Sequence, residues 1–176
     1  SVRYFTGERS AQYWLTPLLA RLCSEGVNEE QSLLTVLESI DNLLSLSLTT
    51  QKEASFTLIS NSEVQTKPWF QVKSYLEDPK GTSFEHYWFQ KLEYLLWKKT
   101  DKSSDEKLKR YRIVSRNSVE HVHPQNEEFG HRLEESHLHS FGNLVLLNPG
   151  QNSSYGHQSA KKKKADFEGK SNYDAL

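Results

Sequence analysis

The sequence holds a single cysteine, Cys23, so no disulfide can close within the chain and no zinc finger built on cysteine pairs is open to it. Cys23 falls in an apolar helical pattern and is expected to act as a small core hydrophobe. Long hydrophobic runs are also missing. None approaches the length of a membrane span, and the N-terminus has no apolar signal-peptide core, so no membrane partner and a cytoplasmic location are expected. Charge of one sign is lacking overall, at a formal −1, so bulk electrostatics does not advertise a polyanionic partner. There is no glycine-rich phosphate loop and no internal repeat, which leaves nucleotide binding unassigned here and argues against a solenoid. The ends, Ser1-Val2-Arg3 and Asp174-Ala175-Leu176, read as those of a piece of a longer protein.

What the 176 residues do hold is unevenly spread. Only 35% are hydrophobic, but 4 Trp, 8 Tyr and 8 Phe can bury large areas. Acidic residues dominate Glu29–Glu53, while Lys and Arg gather in Lys107–Arg116 and Lys161–Lys164. A local basic stripe is a sufficient footprint for a phosphate backbone even on a neutral protein. Apolar spacing predicts a helix over Glu8–Cys23, stopped by Gly26, and a second after the N-cap Asn28 with Gln31 at its capping-box position. That second helix carries Leu33, Leu34, Leu37, Ile40, Leu43 and Leu44 on one face. Residues 51–66 read as a polar connection. Pro68 opens a short helix through Leu76, and Phe84–Trp97 forms another, with Phe84, Tyr87, Trp88, Leu92, Leu95 and Leu96 as its core stripe. Lys98–Lys107 reads as a linker.

Beyond it, Tyr111–Val114 and Ser118–Val122 read as short strands, Asn126–Ser140 as a loop, and Leu144–Leu147 as a strand closed by the turn Asn148-Pro149-Gly150. Gln151–Phe167 reads as one helix weakened by Gly156. The expected fold class is α+β. It divides into a helical region, 1–107, packed against a C-terminal unit, 108–176.

Three polar positions stand around the last strand. Glu120-His121 sits in Ser-Val-Glu-His-Val-His-Pro-Gln-Asn, Asn143 in Phe-Gly-Asn-Leu-Val-Leu-Leu, and Asn152 in Asn-Pro-Gly-Gln-Asn-Ser-Ser. Asn143 follows His121 by 22 residues, and Asn152 follows Asn143 by 9. Phosphodiester hydrolysis needs a base for water, charge stabilisation at phosphorus and neutralisation of the departing oxygen. A histidine of near-neutral pKa suits the first need, and one divalent cation on hard oxygen donors suits the others.

This order resembles the HNH, or ββα-metal, nucleases, and its wording over about Asn117 to Phe167 resembles the C-terminal domain of GmrSD-type restriction endonucleases. The resemblance implies metal-dependent cleavage of DNA in restriction or anti-phage defence. It also implies an N-terminal nucleotide-hydrolysing domain or subunit outside this chain. Carried over by position, His121 is the general base, Glu120 and Asn152 are metal ligands, and Asn143 braces the loop beside the base. The cation implied is Mg²⁺ or Mn²⁺. Adjacent strand residues face opposite sides, so Glu120 and His121 share a site only if the strand ends, twists or bulges there.

His123 departs from the family pattern, where an apolar residue is usual. It either fills space or adds a ligand, which would draw the site toward Zn²⁺ or Ni²⁺. His131, His137 and His139 are expected in solvent, although His137-Leu138-His139 has a spacing zinc can use. His157 follows Asn152 by 5 and sits poorly on the same helix face. Lys161, Lys162, Lys163 and Lys164 are expected either as a solvated helix surface or as DNA-phosphate contacts. Two other readings stay open: a DNA-binding or regulatory module that keeps the fold without cutting, and a histidine-rich zinc-binding interaction domain.

Overall fold

The computed structural model describes residues 12–25, 30–60, 62–101, 103, 105–125, 132–156, 158–173 and 175–176. Its architecture is α+β, helices with one small two-stranded sheet. It divides into two compact units, Glu8–Tyr75 and a second that runs from Leu76 to the C-terminus.

The first unit is helical: α1 (Leu15–Glu25), α2 (Glu30–Leu46) and α3 (Gln51–Ile59). Their apolar positions recur at helical spacing and meet in a core of Leu18, Ile40, Leu44, Ala54, Leu58 and Val64. The polar connection expected over 51–66 is corrected by α3. Its signal was in the sequence: Thr50 caps Glu53 N–H, and the Glu53 carboxylate accepts from the Thr50 N–H, a complete capping box. Cys23 is exposed and not a core residue, because α1 turns Leu18 and Leu22 inward and leaves the next position outside. The expected caps at Gly26 and Asn28 lie outside the described residues.

Helix α4 (Trp69–Glu77) straddles the division between the units. The second unit then contains a 3₁₀ turn at Gly81–Ser83, α5 (His86–Lys99), α6 (Glu106–Arg110), β1 (Ser118–His121), α7 (Glu135–Leu138), a 3₁₀ turn at Phe141–Asn143, β2 (Leu144–Leu147), α8 (Pro149–Tyr155) and α9 (Ala160–Gly169). Tyr111–Val114 is not a strand, and among the described residues β1 pairs only with β2, antiparallel.

In the second unit, α5 packs on β2 and supplies Glu93 to a buried cluster. Both Arg116 terminal nitrogens donate to the Glu93 carboxylate, and the Tyr111 hydroxyl donates to it at 2.7 Å. Burial pushes the Tyr111 phenol well above its ordinary pKa, with the Glu93 charge acting in the same direction. The face of α5 that turns inward differs from the expected stripe. Tyr87, Phe89, Gln90 and Glu93 are buried, while Leu92, Leu95 and Leu96 are exposed.

The single helix expected over Gln151–Phe167 is two. Asn148 caps α8 in a box with Gln151, and Gly156 ends it at φ +45°, ψ −136°, a conformation for which glycine is suited. Ser159 then caps α9.

Candidate active site

The register Ser118↔Leu147, Glu120↔Val145, His121↔Leu144 fixes which side chains share a face. Ser118, Glu120, Val145 and Leu147 lie on one side. Leu147 and Val145 pack there with Tyr155 of α8 and with Ala175. Val119, His121, Leu144 and Leu146 lie on the other. Alternation directs Glu120 and His121 to opposite faces of the sheet, and β1 ends at His121, one of the conditions under which the two can serve one site.

On the first face, Asn152 Nδ2 donates to Ser118 Oγ at 2.6 Å, which ties α8 to β1. Glu120, two residues on, receives Lys163 Nζ at 2.8 Å. Lys163 also donates to the His121 carbonyl at 2.7 Å. Its side chain is 7% exposed and that of Glu120 19%, so this pair is largely screened from water. Lys163 was expected beside Lys161, Lys162 and Lys164 on a surface run. It is buried, and the other three are exposed, because successive residues of α9 point about 100° apart. The break at Gly156 puts all four on a different helix from Asn152.

On the other face, the His121 imidazole is 6% exposed. Its pKa is held below the ordinary 6.5, first by burial and then by the neighbouring His139, against the pull of Glu120. Nε2 of His121 meets Nδ1 of His139 at 3.2 Å, and His139 Nε2 meets Glu135 Oε2 at 3.1 Å. His139, expected in solvent, is thus a ring partner of His121. Single residues give no signal for this contact; it arises because α7 and the 3₁₀ turn return the chain to the end of β1.

Among the described residues, Asn143 makes no hydrogen bond to an imidazole ring. Its Oδ1 accepts from His123 N at 2.8 Å, and its Nδ2 donates to Leu138 O at 2.8 Å and to His123 O at 3.3 Å. With Val122 N donating to Asn143 O at 2.8 Å, the loop after β1 is tied down at successive residues. Asn143 is thus joined to the loop after β1 through His123 and to Leu138. His123 lies beyond the strand end, where alternation no longer applies, and its Nδ1 contacts Pro124 O at 3.2 Å. His137 is exposed, and His131 and His157 lie outside the described residues.

With these contacts in view, the chain can be compared with known proteins. Residues 69–175 match the family of GmrSD restriction endonucleases, C-terminal domain. The chain belongs to that family. No curated protein matches it, and neither does any solved structure. The GmrSD C-terminal match supports a restriction-type nuclease role and, in general terms, a divalent cation. It begins within α4 and includes α5, well upstream of the motif residues that carry the resemblance in the sequence.

Among the described residues, no three His, Cys, Asp or Glu side chains gather as a metal cluster. The donors that fit a cation are few and hard. Glu120 offers a carboxylate, with one oxygen already on the Lys163 ammonium, and Asn152 offers Oδ1, since its Nδ2 is committed to Ser118. A carboxylate and a carboxamide oxygen suit an ion that keeps several waters, as Mg²⁺ does, better than a closed tetrahedral zinc site.

Proposed function

We propose that this chain is a metal-dependent endonuclease of the HNH, ββα-metal type that hydrolyses DNA phosphodiesters in the cytoplasm, in restriction or anti-phage defence. It would work with an N-terminal nucleotide-hydrolysing domain or subunit. The observation that carries the reading is the buried His121 at the end of β1, kept neutral by its surroundings, with Glu120 and Asn152 presented from the same strand–strand–helix unit.

In this reading His121 accepts a proton from water through a ring nitrogen. Burial favours its uncharged form near pH 7, which is the form a base needs. The hydroxide produced attacks phosphorus, and the bond to the leaving sugar oxygen breaks. Asn143 keeps the segment after β1 in place, so that the imidazole does not drift. Glu120 and Asn152 hold Mg²⁺ or Mn²⁺, which when bound supplies charge stabilisation at phosphorus and at the departing oxygen. Lys161, Lys162 and Lys164, exposed on α9, supply phosphate contacts.

One observation favours a second reading. Lys163 puts a cation on Glu120 without any metal, and a chain that keeps it there would bind DNA without cutting it. Plasmid nicking separates the two. Cleavage should require Mg²⁺ or Mn²⁺ and stop in EDTA. His121→Ala should lower it by roughly 10²-fold or more with folding and DNA binding retained. Cleavage that survives His121→Ala under limiting enzyme rejects the assignment of the base. Specific DNA binding without any metal-dependent cut favours the second reading.

A further inference from the structure

The Glu135–His139–His121 chain of contacts has a direction. His139 Nε2 lies 3.1 Å from the Glu135 carboxylate, and the negative charge there favours the proton on that ring nitrogen. With the proton there and His139 uncharged, Nδ1 is a lone pair, and the proton in the 3.2 Å contact sits on His121 Nε2. Nδ1 of His121 is left as the basic nitrogen, and among the described residues no hydrogen bond engages it.

The chain of contacts is also held in place. Gly81 N donates to the His139 carbonyl at 2.9 Å, at a residue whose φ is +54°. A Cβ at Gly81 would lie 2.6 Å from His139 Nδ1, so only glycine lets the turn approach the ring this closely. The two imidazoles meet edge to face, with centroids 5.2 Å apart and planes at 75°. That arrangement lets the in-plane N–H of one ring reach the lone pair of the other. Arg132 donates to the other Glu135 oxygen at 3.2 Å.

We propose that His139, oriented by Glu135 and seated against Gly81, is a positioning residue that locks His121 in the tautomer protonated on Nε2, leaving Nδ1 to receive the proton from water. This rests on the reading of His121 as the base. It adds which nitrogen acts and which residues select it. When Nδ1 takes up a proton, the Nε2–H bond to His139 becomes charge-assisted and strengthens, so the same contact helps to hold the imidazolium.

Long-range ¹H–¹⁵N spectra of the ¹⁵N-labelled full chain report which ring nitrogen carries the proton, independently of activity. The expected result is Nε2–H on His121 in the parent protein and a mixture of tautomers in His139→Leu. Single-turnover cleavage should fall roughly 10- to 100-fold in His139→Leu with DNA affinity unchanged. His139→Asn, whose Oδ1 can accept near the place of Nδ1, should recover most of that loss. Gly81→Ala should reproduce it. A parent spectrum with the proton on His121 Nδ1 overturns the proposal, and it does so even if every His139 variant misfolds. So does full cleavage by His139→Leu alongside an inactive His121→Ala. Full cleavage by His121→Ala would instead sink the base assignment, while the spectrum still decides the tautomer.

Discussion

Lys163→Met keeps the length of the side chain and removes its ammonium. In the parent protein that group makes two bonds, to Glu120 Oε1 at 2.8 Å and to the His121 carbonyl at 2.7 Å, from a side chain only 7% exposed. Breaking a buried ion pair from one side costs about 3–5 kcal/mol, because the partner charge is left behind. Glu120 retains 19% exposure, so water recovers part of this, and a loss of about 2–3 kcal/mol is expected. For a chain of this size that lowers Tm by roughly 5–10 °C, read by circular dichroism. Adding Glu120→Gln should return part of the loss, with a coupling of about 1 kcal/mol or more in the double-mutant cycle. The salt dependence of DNA binding should not move, since a buried ammonium neutralises no phosphate. By contrast, changing Lys161, Lys162 and Lys164 together to Gln should reduce the slope of log K against log salt by about 1–2, at roughly 0.9 per phosphate contact. A Lys163→Met protein with unchanged Tm and a slope reduced by about 0.9 would refute the reasoning and put this lysine on the DNA.

Arg116→Met should cost about 3–5 kcal/mol in denaturant unfolding, because it strands the Glu93 carboxylate in the interior; a loss under about 1 kcal/mol would mean water reaches that cluster. His121 should make stability depend on pH in a defined direction. Its folded pKa lies below 6.5, so the unfolded chain binds the proton more readily, and stability present above pH 6.5 falls as pH drops through that value and on to the folded pKa. His121→Gln should flatten this part of the profile relative to the parent, and matching parent and variant profiles between pH 8 and 5 would contradict it. His123→Leu should leave Mg²⁺ as the preferred cation over Zn²⁺ or Ni²⁺, since the imidazole contacts the Pro124 carbonyl; a preference that shifts from a softer metal to Mg²⁺ on this change would make His123 a ligand.

Much of the local structure is determined by the sequence itself. Thr50 and Glu53, Asn148 and Gln151, and Ser159 each begin a helix through hydrogen bonds within a few residues, so their signals survive without any partner element. The strand Leu144–Leu147 has the limits its apolar run and the following Asn-Pro-Gly turn imply. The order Glu120-His121, Asn143, Asn152 is a linear pattern, and the family match over residues 69–175 is carried by such patterns.

What the tertiary structure decided involves residues far apart in the chain. Glu93 meets Arg116 across 23 positions, and the face of α5 that turns inward holds this pair beside Tyr87, Phe89 and Gln90. Lys163 reaches Glu120 across 43 positions, which separates it from three chemically identical neighbours. His139 meets His121 across 18 positions, beside the turn at Gly81, where a Cβ would crowd the ring. Side-chain type and spacing encode propensity over a turn or two of helix. They do not encode which distant charge will be the cheapest partner once water is excluded, and burial makes that choice only when the elements meet.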